Sequence, residues 1–313
     1  MISVVVVTYH SAECIADCLA SVRRVLPDAE IVVVDNNSKD DTVNLAAAAV
    51  DGVRLIELEE NVGFGRACNV GAKTAMRAHL LFLNPDTRVE EVDREGLAQL
   101  LTRRPFGLVA PTFDDEPERR RLESHWVLEL ASHAAGMLRP REWRPPRVRH
   151  SQDGTRAWVG GAMLLANRDE FLKLGGFDPR FFLYYEDRDL SRRYRESGFP
   201  ISTTQVLGGT HQGGASSTRH GPATAPTAWG LLGWIQYVSI HSGSRPAYRV
   251  ARAAVLSLRA MRFVMRAVGA SGWERARRKN RQLDEVLQLL AARAKSDDGR
   301  FCPDALAVLR RLI

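Results

Sequence analysis

Residues 81–87 read Leu81-Phe82-Leu83-Asn84-Pro85-Asp86-Thr87, an apolar run that stops abruptly at a carboxylate. Such a run is typical of a buried strand in an α/β sheet, and the proline ends it. Asp86 is therefore expected at the carboxyl edge of the sheet, where open α/β folds bind their ligands. A carboxylate there suits a hard divalent cation that bridges two phosphates. An isolated Asn-Pro-Asp would be a turn or a helix cap, so the assignment depends on three other segments.

The first two segments begin an α/β fold. Residues 2–9 have the continuous β-branched character of a central parallel strand, and residues 12–25 follow as a helix. Residues 30–35 form a second apolar run, which ends at Asp35 and leads into a turn and a helix start at 36–42. Alternating strands and helices predict a parallel, doubly wound sheet with right-handed connections.

The third segment, residues 60–71, follows a short strand at 53–58 and opens a helix. It contains Asn61-Val62-Gly63-Phe64-Gly65-Arg66. The glycine spacing does not match the dinucleotide fingerprint, and the segment lacks the lysine of a phosphate-binding P-loop. Hydride transfer and ATP hydrolysis are therefore disfavoured.

Seven segments, in this order and spacing, resemble the inverting glycosyltransferases of family 2, which bind nucleotide sugars with a GT-A fold. They are Val7-Thr8-Tyr9, Val34-Asp35-Asn36-Asn37-Ser38, Asn61-Val62-Gly63-Phe64-Gly65, Leu83-Asn84-Pro85-Asp86, Trp158-Val159-Gly160-Gly161-Ala162, Gly175-Gly176-Phe177-Asp178 and Phe181-Phe182-Leu183-Tyr184-Tyr185-Glu186-Asp187-Arg188-Asp189-Leu190. Asn-Pro-Asp in place of the family's Asp-x-Asp, together with Phe-Phe-x-Tyr-x-Glu-Asp, is most similar to the rhamnosyltransferase branch.

The resemblance implies an α/β fold of GT-A type: a Rossmann-like mixed sheet flanked by helices, with a C-terminal helical appendage. We expect a catalytic domain at 1–215, with a nucleotide-binding half at about 1–112 and an acceptor half at about 113–215, and a helical region at 216–313. The implied reaction moves L-rhamnose from dTDP-β-L-rhamnose to a hydroxyl of a glycan, a lipid-linked glycan or a natural product by single displacement. A UDP-hexose donor, or a non-catalytic relative that binds nucleotide sugars, remains as an alternative.

The nucleotide sugar would contact the ends of the first strands and the glycine-containing loop. A carboxylate at the end of the second strand can accept a hydrogen bond from N3–H of uracil or thymine, and arginine is a natural partner of a diphosphate. The residues placed here by the resemblance are Thr8, Tyr9, Asp35, Asn37, Asn61, Gly63, Phe64, Gly65, Arg66, Asn84 and Asp86.

A metal cofactor, Mg²⁺ or Mn²⁺, would be held by Asp86 against the diphosphate. Asn84 stands where the family has the first aspartate of its metal motif, so the site has one negative charge fewer. His211 matches a histidine that completes the metal site in family members.

Residues 184–193 are predicted to begin a helix, with acids in its first turn and arginines after them. The helix dipole alone would explain this order of charges. In the family the second acid of the Glu-Asp pair is the general base. The resemblance therefore implies Asp187 as the catalytic base and Glu186 as an orienting acid. Asp189 would lie on another face and pair with Arg192 or Arg193.

Residues 158–165 are predicted to form a strand whose glycines let a ligand approach the backbone. The resemblance places Gly160 and Gly161 at the floor of the sugar and acceptor pocket. Trp158 could stack on a sugar ring or simply pack.

Composition favours a cytoplasmic enzyme. The chain starts directly with a strand, its four cysteines form no disulfide or zinc framework, and no run of eighteen uncharged apolar residues is present. The net charge is +7, and residues 245–281 contain eleven Lys or Arg and one acid. No nucleic-acid-binding motif accounts for this charge. Two interpretations of this charge stay open. One is that the helices are simply solvated, and the other is that they are basic amphipathic helices that contact an anionic membrane holding a lipid-linked acceptor.

Overall fold

A computed structural model describes residues 1–111, 158–211 and 225–243, and most positions at 248–264 and 284–292. The chain divides into two compact units. The described residues of the first lie within Met1–Arg119, Val148–Pro179 and Glu186–Ser216, and those of the second within Arg180–Tyr185 and Ser217–Ile313. The domain boundary expected at 215/216 stays a prediction, and so does the acceptor half at 113–215, of which residues 113–157 lie outside the described residues.

The first unit alternates strands and helices. Its elements are β1 (Ile2–Thr8), α1 (Ile15–Val25), β2 (Glu30–Asp35), α2 (Thr42–Ala49), β3 (Val53–Glu57), α3 (Phe64–Thr74), β4 (His79–Leu83), β5 (Thr87–Val92), α4 (Arg94–Leu101), β6 (Leu108–Pro111), β7 (Met163–Asn167), α5 (Arg168–Lys173), α6 (Glu186–Glu196), β8 (Ile201–Thr204) and β9 (Leu207–His211). The second unit contains α7 (Ala225–Ser242).

Seven strands of the described chain form one mixed sheet in the order β3-β2-β1-β4-β7-β6-β8. Strands β1 to β4 are mutually parallel, β7 runs antiparallel to β4 and β6, and β6 and β8 are parallel. Strands β5 and β9 form a separate antiparallel pair. The predicted mixed α/β sheet is confirmed.

Helices cover both faces of this sheet, which explains why β1, β2 and β4 are apolar without alternation. Val4 and Val6 of β1 belong to one buried cluster together with residues of α1. Val5 and Val7, which point the opposite way because strand side chains alternate, belong to a second cluster with residues of α3. Helix α3 lies so close to the sheet that a Cβ on Gly71 would come within 2.3 Å of Val5 Cγ1.

The prediction that a strand begins at residue 158 is wrong, because β7 begins only at Met163. The backbone before it bonds to loops instead of a neighbouring strand. Ala162 O accepts a hydrogen bond from Asn84 N at 2.9 Å, and the Gly161 N–H donates to the Asp187 carboxylate. These bonds hold residues 158–162, which end in a turn at 161–162, beside the carboxyl end of β4.

In the second unit, α7 packs on residues 180–185 through aromatic contacts. The Phe182 and Trp229 rings stack with centroids 4.3 Å apart, and the Tyr185 and Tyr237 centroids are 5.9 Å apart. Gln236 Nε2 donates to Arg180 O at 2.6 Å. Within the described part of the chain, no helix is both long and apolar enough to cross a bilayer.

Candidate active site

The carboxyl ends of β1 and β2 meet at Asp35, which is 2 % exposed. Thr8 is its partner in the ladder and donates from Oγ1 to Asp35 Oδ1 at 2.8 Å. Ser38 donates twice, from its backbone N to Oδ2 at 2.8 Å and from Oγ to Oδ1 at 2.6 Å. The carboxylate is thus held rigidly at the sheet edge. Ser38 was quoted in the motif but was not predicted to orient Asp35.

The loop before α3 is tied to the end of β2 by asparagine side chains. Asn36, which is buried, accepts from Val62 N at 2.9 Å, and Asn61 accepts from Gly63 N at 3.0 Å. Gly63 has φ +91°, a conformation that glycine adopts without steric cost. Asn37 also has a positive φ, of 67°. Asn37, Asn61 and Gly63 therefore belong to two loops that are joined at the same edge.

The start of α3 packs tightly against Phe177. A Cβ on Gly65 would lie 2.9 Å from Phe177 Cβ and 3.6 Å from Glu186 Cβ, so only glycine fits here. One turn later, Asn69 Oδ1 accepts from Phe177 N at 2.9 Å, and its Nδ2 donates to Phe177 O at 2.7 Å. Phe64 packs edge-on against Phe177, with ring centroids 6.0 Å apart. Sequence reasoning did not select Asn69 as a functional residue.

Arg66, on the first turn of α3, directs Nε to Pro179 O at 2.6 Å. This bond anchors the side chain to the loop that follows Phe177. The predicted contact of Arg66 with a diphosphate stays a prediction.

Asp86 and His211 are brought together by the β5–β9 ladder, in which Thr87 pairs with His211. Asp86 Oδ1 lies 3.0 Å from His211 Nε2, and Asn84 Nδ2 lies 3.3 Å from the same nitrogen. Asp86 and His211 are both buried. The structure thus brings together Asp86 and His211, the two residues expected to hold the metal, and Asn84, which stands where the family has an aspartate and lies 127 positions from His211. Metal binding itself stays a prediction.

The donor set at this position has one carboxylate, one imidazole and one amide. No group of three or more His, Cys, Asp or Glu side chains that could hold a metal occurs among the described residues. Mg²⁺ sites commonly use one or two carboxylates and complete the shell with substrate phosphates and water. Asp86 with His211 therefore fits a cation that is held jointly with a diphosphate.

Glu186 and Asp187 open α6, directly after two residues in the left-handed conformation, Tyr184 with φ 67° and Tyr185 with φ 71°. Such backbone costs about 1–3 kcal/mol per residue and is concentrated at functional sites. Asp187 as a whole residue is partly exposed, and its carboxylate accepts from Arg188 N at 2.7 Å and from the Gly161 N–H. Glu186 is 6 % exposed, and its Oε2 has no hydrogen-bond partner among the described residues.

Burial raises the pKa of both acids, but the two carboxyl groups have different neighbours. Burial, and then the neighbouring Asp187 charge, raise the pKa of Glu186 to about 8. Burial also raises the pKa of Asp187, but Arg188 and the backbone N–H donors oppose that shift. With a pKa of about 8, Glu186 is therefore largely protonated near neutral pH.

The raised pKa of Glu186 predicts how stability changes with pH. Above its ordinary pKa of 4.5 the unfolded chain releases the Glu186 proton, whereas the folded chain keeps it up to about pH 8. Because the folded state then binds more protons, the free energy of unfolding should fall as pH rises from about 4.5 to 8. Glu186→Gln should flatten this decline in urea titrations at pH 5, 6.5 and 8. Glu196→Gln, at an exposed position of the same helix, should keep the wild-type slope. An unchanged slope in Glu186→Gln would contradict a buried neutral Glu186.

Asp189 and Arg193 form the ion pair predicted from their spacing, with Arg193 Nε and Asp189 Oδ2 2.8 Å apart. Arg193 also donates to Leu174 O at 2.8 Å and to Gly176 O at 2.6 Å. The pair therefore fastens the loop before Phe177 to α6, which is a structural role and not a catalytic one.

Trp158 lies beside the acids, and its ring is covered on one side by Arg188, with Cζ 4.5 Å from the ring centroid. A Cβ on Gly161 would be 3.4 Å from Phe64 Cε1 and 4.0 Å from Asp187 Cβ. Gly160 is exposed. Gly161 therefore adjoins Asp187 and Gly160 adjoins Trp158, and the predicted contacts of all three residues with sugar and acceptor stay predictions.

Residues 3–158 match Glycosyl transferase family 2. This chain is a family 2 glycosyltransferase. Over 275 residues the enzyme is 28% identical to the N-acetylglucosaminyl-diphospho-decaprenol L-rhamnosyltransferase of Mycobacterium tuberculosis, a match that covers 78% of this chain and 86% of that protein. Over 232 residues it is 23% identical to the low-salt glycan biosynthesis hexosyltransferase Agl10 of Haloferax volcanii, covering 70% and 69%.

Solved structures place the glycosyltransferase in the GT-A fold. The mannosyltransferase PcManGT from Pyrobaculum calidifontis, in complex with GDP-Man and Mn²⁺, aligns with a TM-score of 0.52 at 15% identity over 91% of this chain and 84% of that one. GalNAc-T7 with UDP, GalNAc and Mn²⁺ aligns with a TM-score of 0.52 at 16% identity, over 77% of this chain and 48% of that one. At these identities the likeness concerns the fold alone, and it confirms the predicted GT-A class.

Proposed function

We propose that this glycosyltransferase moves L-rhamnose from dTDP-β-L-rhamnose to a hydroxyl of a lipid-linked glycan by a single inverting displacement. The observation that carries the donor and acceptor is the similarity to the mycobacterial L-rhamnosyltransferase, which extends over 86% of that protein. That relative is named for a decaprenyl-diphosphate-linked acceptor, and we extend this acceptor class to the present enzyme.

The position and hydrogen-bonding capacity of the Asp35 carboxylate suit a pyrimidine base. A carboxylate oxygen can accept about two hydrogen bonds. Among the described residues Oδ2 receives one, from Ser38 N, so it can also accept from N3–H of thymine. Thr8 and Tyr9 would line the base. The fixed position of the carboxylate means that little conformational freedom is lost on binding.

The diphosphate would lie between the Asn61–Gly65 loop, the Arg66 side chain and the Asp86–His211 pair. A bound Mg²⁺ or Mn²⁺ would neutralise charge on the departing nucleotide. Asp86 supplies the formal negative charge for that cation, His211 supplies a nitrogen, and Asn84 lies against His211. The first backbone amides of α3, which begins at Phe64, would also favour an anion.

Asp187 would act as the general base. It takes the proton of the acceptor hydroxyl while that oxygen bonds to the anomeric carbon and the bond from that carbon to the diphosphate breaks on the opposite side. One base suffices, because no covalent enzyme intermediate is formed. A neutral Glu186 beside it avoids a second charge and helps to hold Asp187 in place. Trp158, Gly160 and Gly161 would border the sugar and the acceptor.

A UDP-hexose donor is the second candidate, since Agl10 is named a hexosyltransferase and is 23% identical to this chain. A non-catalytic, sugar-binding role is less favoured, because both the acid at the metal position and the acid at the base position are present.

A donor screen by thermal shift separates these possibilities. Full-length protein is mixed with dTDP-rhamnose, UDP-glucose, UDP-N-acetylglucosamine or GDP-mannose, each with Mg²⁺ or Mn²⁺. A ligand at 100 times its Kd stabilises the folded state by about 2.7 kcal/mol, which is readily measured. We expect the largest rise in Tm with dTDP-rhamnose. A larger rise with a UDP sugar would favour the second candidate, and no rise with any donor would contradict nucleotide-sugar binding.

A further inference from the structure

The helical residues at 251–264, in the second unit, have one face buried in the protein. Ala251, Ala254, Val255 and Leu258 are each at most 2 % exposed. Their spacing of three, one and three residues is that of a single helix face. This face anchors the helix, so the opposite face has a fixed orientation.

The opposite face exposes large apolar side chains. Leu256 is 52 % exposed, Phe263 75 % and Val264 50 %. Leu256 and Phe263 are seven residues apart and therefore lie on one side of the helix, two turns from each other. Single exposed apolar residues are common on soluble proteins, whereas adjoining ones mark interaction surfaces.

Two exposed arginines belong to the same face. Arg252 precedes Leu256 by four residues and Arg259 precedes Phe263 by four, so each arginine lies one turn from an apolar side chain. We call residues Arg252, Leu256, Arg259, Phe263 and Val264 the Leu256/Phe263 face. Within the described part of the chain neither arginine forms an ion pair, whereas Arg262, outside this face, is 3.0 Å from Asp284.

We propose that the Leu256/Phe263 face docks on an anionic lipid surface. Leu256, Phe263 and Val264 would enter the boundary between headgroups and acyl chains, while the arginines contact lipid phosphates. An anionic membrane would use both the exposed apolar side chains and the arginines of this face. A nucleic acid would use the arginines but would not require the apolar side chains. A second copy of the same face would bring like charges together, because residues 245–281, which include this face, contain eleven basic residues and one acid. Charge complementarity therefore selects anionic lipid.

The docking surface deepens the proposed function, because a lipid-linked acceptor lies in a membrane. Its biological purpose rests on the proposed function, but its binding to lipid does not. Vesicle binding is measured without donor or acceptor, so failure of the docking proposal and failure of the proposed function can be told apart.

The test is co-sedimentation of the full-length protein with vesicles of phosphatidylcholine alone or with 30 mol% phosphatidylglycerol, a composition chosen as a probe. We expect binding only to the anionic vesicles, and weaker binding in 0.5 M salt because screening shortens the range of the charges. Arg252→Gln/Arg259→Gln should weaken partitioning about 30-fold at low salt, equivalent to about 1 kcal/mol per arginine. Leu256→Ser/Phe263→Ser should weaken it by at least about tenfold.

Met76→Ser is the matched control, since Met76 is 67 % exposed but lies in the first unit. It should bind vesicles like the wild type. Circular dichroism and the thermal-shift response to nucleotide verify that each variant is folded. A wild type that ignores anionic vesicles would overturn the proposal. Self-association that Leu256→Ser/Phe263→Ser abolishes, without vesicle binding, would also overturn it and would assign the face to a second copy of the chain.

Discussion

Asp187→Asn is expected to lower turnover at least about 10²-fold, the loss typical of a missing general base, while the affinity for the nucleotide sugar stays close to wild type. Asparagine preserves the size of the side chain and can still accept from Arg188 N and the Gly161 N–H, so the first turn of α6 should keep its structure. The amide cannot take a proton from the acceptor hydroxyl. The effect should therefore appear in turnover and not in donor binding.

Steady-state transfer and calorimetric titration of the donor measure the two quantities separately. Glu196→Gln is the matched control, because it removes a carboxylate from the exposed end of the same helix. It should be indistinguishable from wild type in both measurements. Turnover of Asp187→Asn within a few-fold of wild type would remove Asp187 from the mechanism.

Asp86→Ala is expected to weaken metal-dependent binding of dTDP by about 10²-fold or more. Loss of outer partners of metal ligands already costs 10–100-fold, and Asp86 would contact the cation itself. Asn84 cannot replace the missing charge, since an amide has none. His211→Ala should cost less, about tenfold, because it removes a neutral ligand from the same cation.

Titration of dTDP with Mg²⁺, with Mn²⁺ and with EDTA measures the metal contribution directly. Asp51→Ala, a change at an exposed acid far along the chain from both metal residues, should bind dTDP like the wild type. If EDTA leaves wild-type binding unchanged, the metal assignment is wrong. Arg66 and the amides at the start of α3 would then have to neutralise the diphosphate alone.

The parallel strands of the first 83 residues were predictable because the central ones are buried on both faces. Strands β1, β2 and β4 appear as unbroken apolar runs, and polar residues mark where they end. Parallel strands place their carboxyl ends at one edge, so Asp35 and Asp86 could be assigned to the same side from the sequence. The position of His211 beside Asp86 required the family resemblance, because the β5–β9 pairing joins segments far apart in the chain.

The start of β7 could not be predicted from local pattern. Residues 158–162 are as apolar as a strand, but they bond to Asn84 and Asp187 and end in a turn at 161–162. Asn69 offered a weak signal, since it is four residues after Gly65 and hence on the same helix face. Its partner Phe177 is 108 residues away, a separation that no local pattern reveals.

The C-terminal region was expected to be helical and basic, but its sequence did not show which side chains are buried. Leu258 is buried, whereas Leu256 and Val264 are about half exposed, although all three positions are apolar. Contact with an anionic membrane stays a prediction.

The anomeric configuration of the product tests the central claim most directly. Wild-type protein is incubated with dTDP-β-L-rhamnose, Mg²⁺ or Mn²⁺ and a short-chain N-acetylglucosaminyl diphosphate lipid, and the purified product is examined by NMR. A single displacement driven by Asp187 predicts an α-L-rhamnoside, formed by wild type and barely by Asp187→Asn. A β-L-rhamnoside, which requires retention of configuration, would contradict the account.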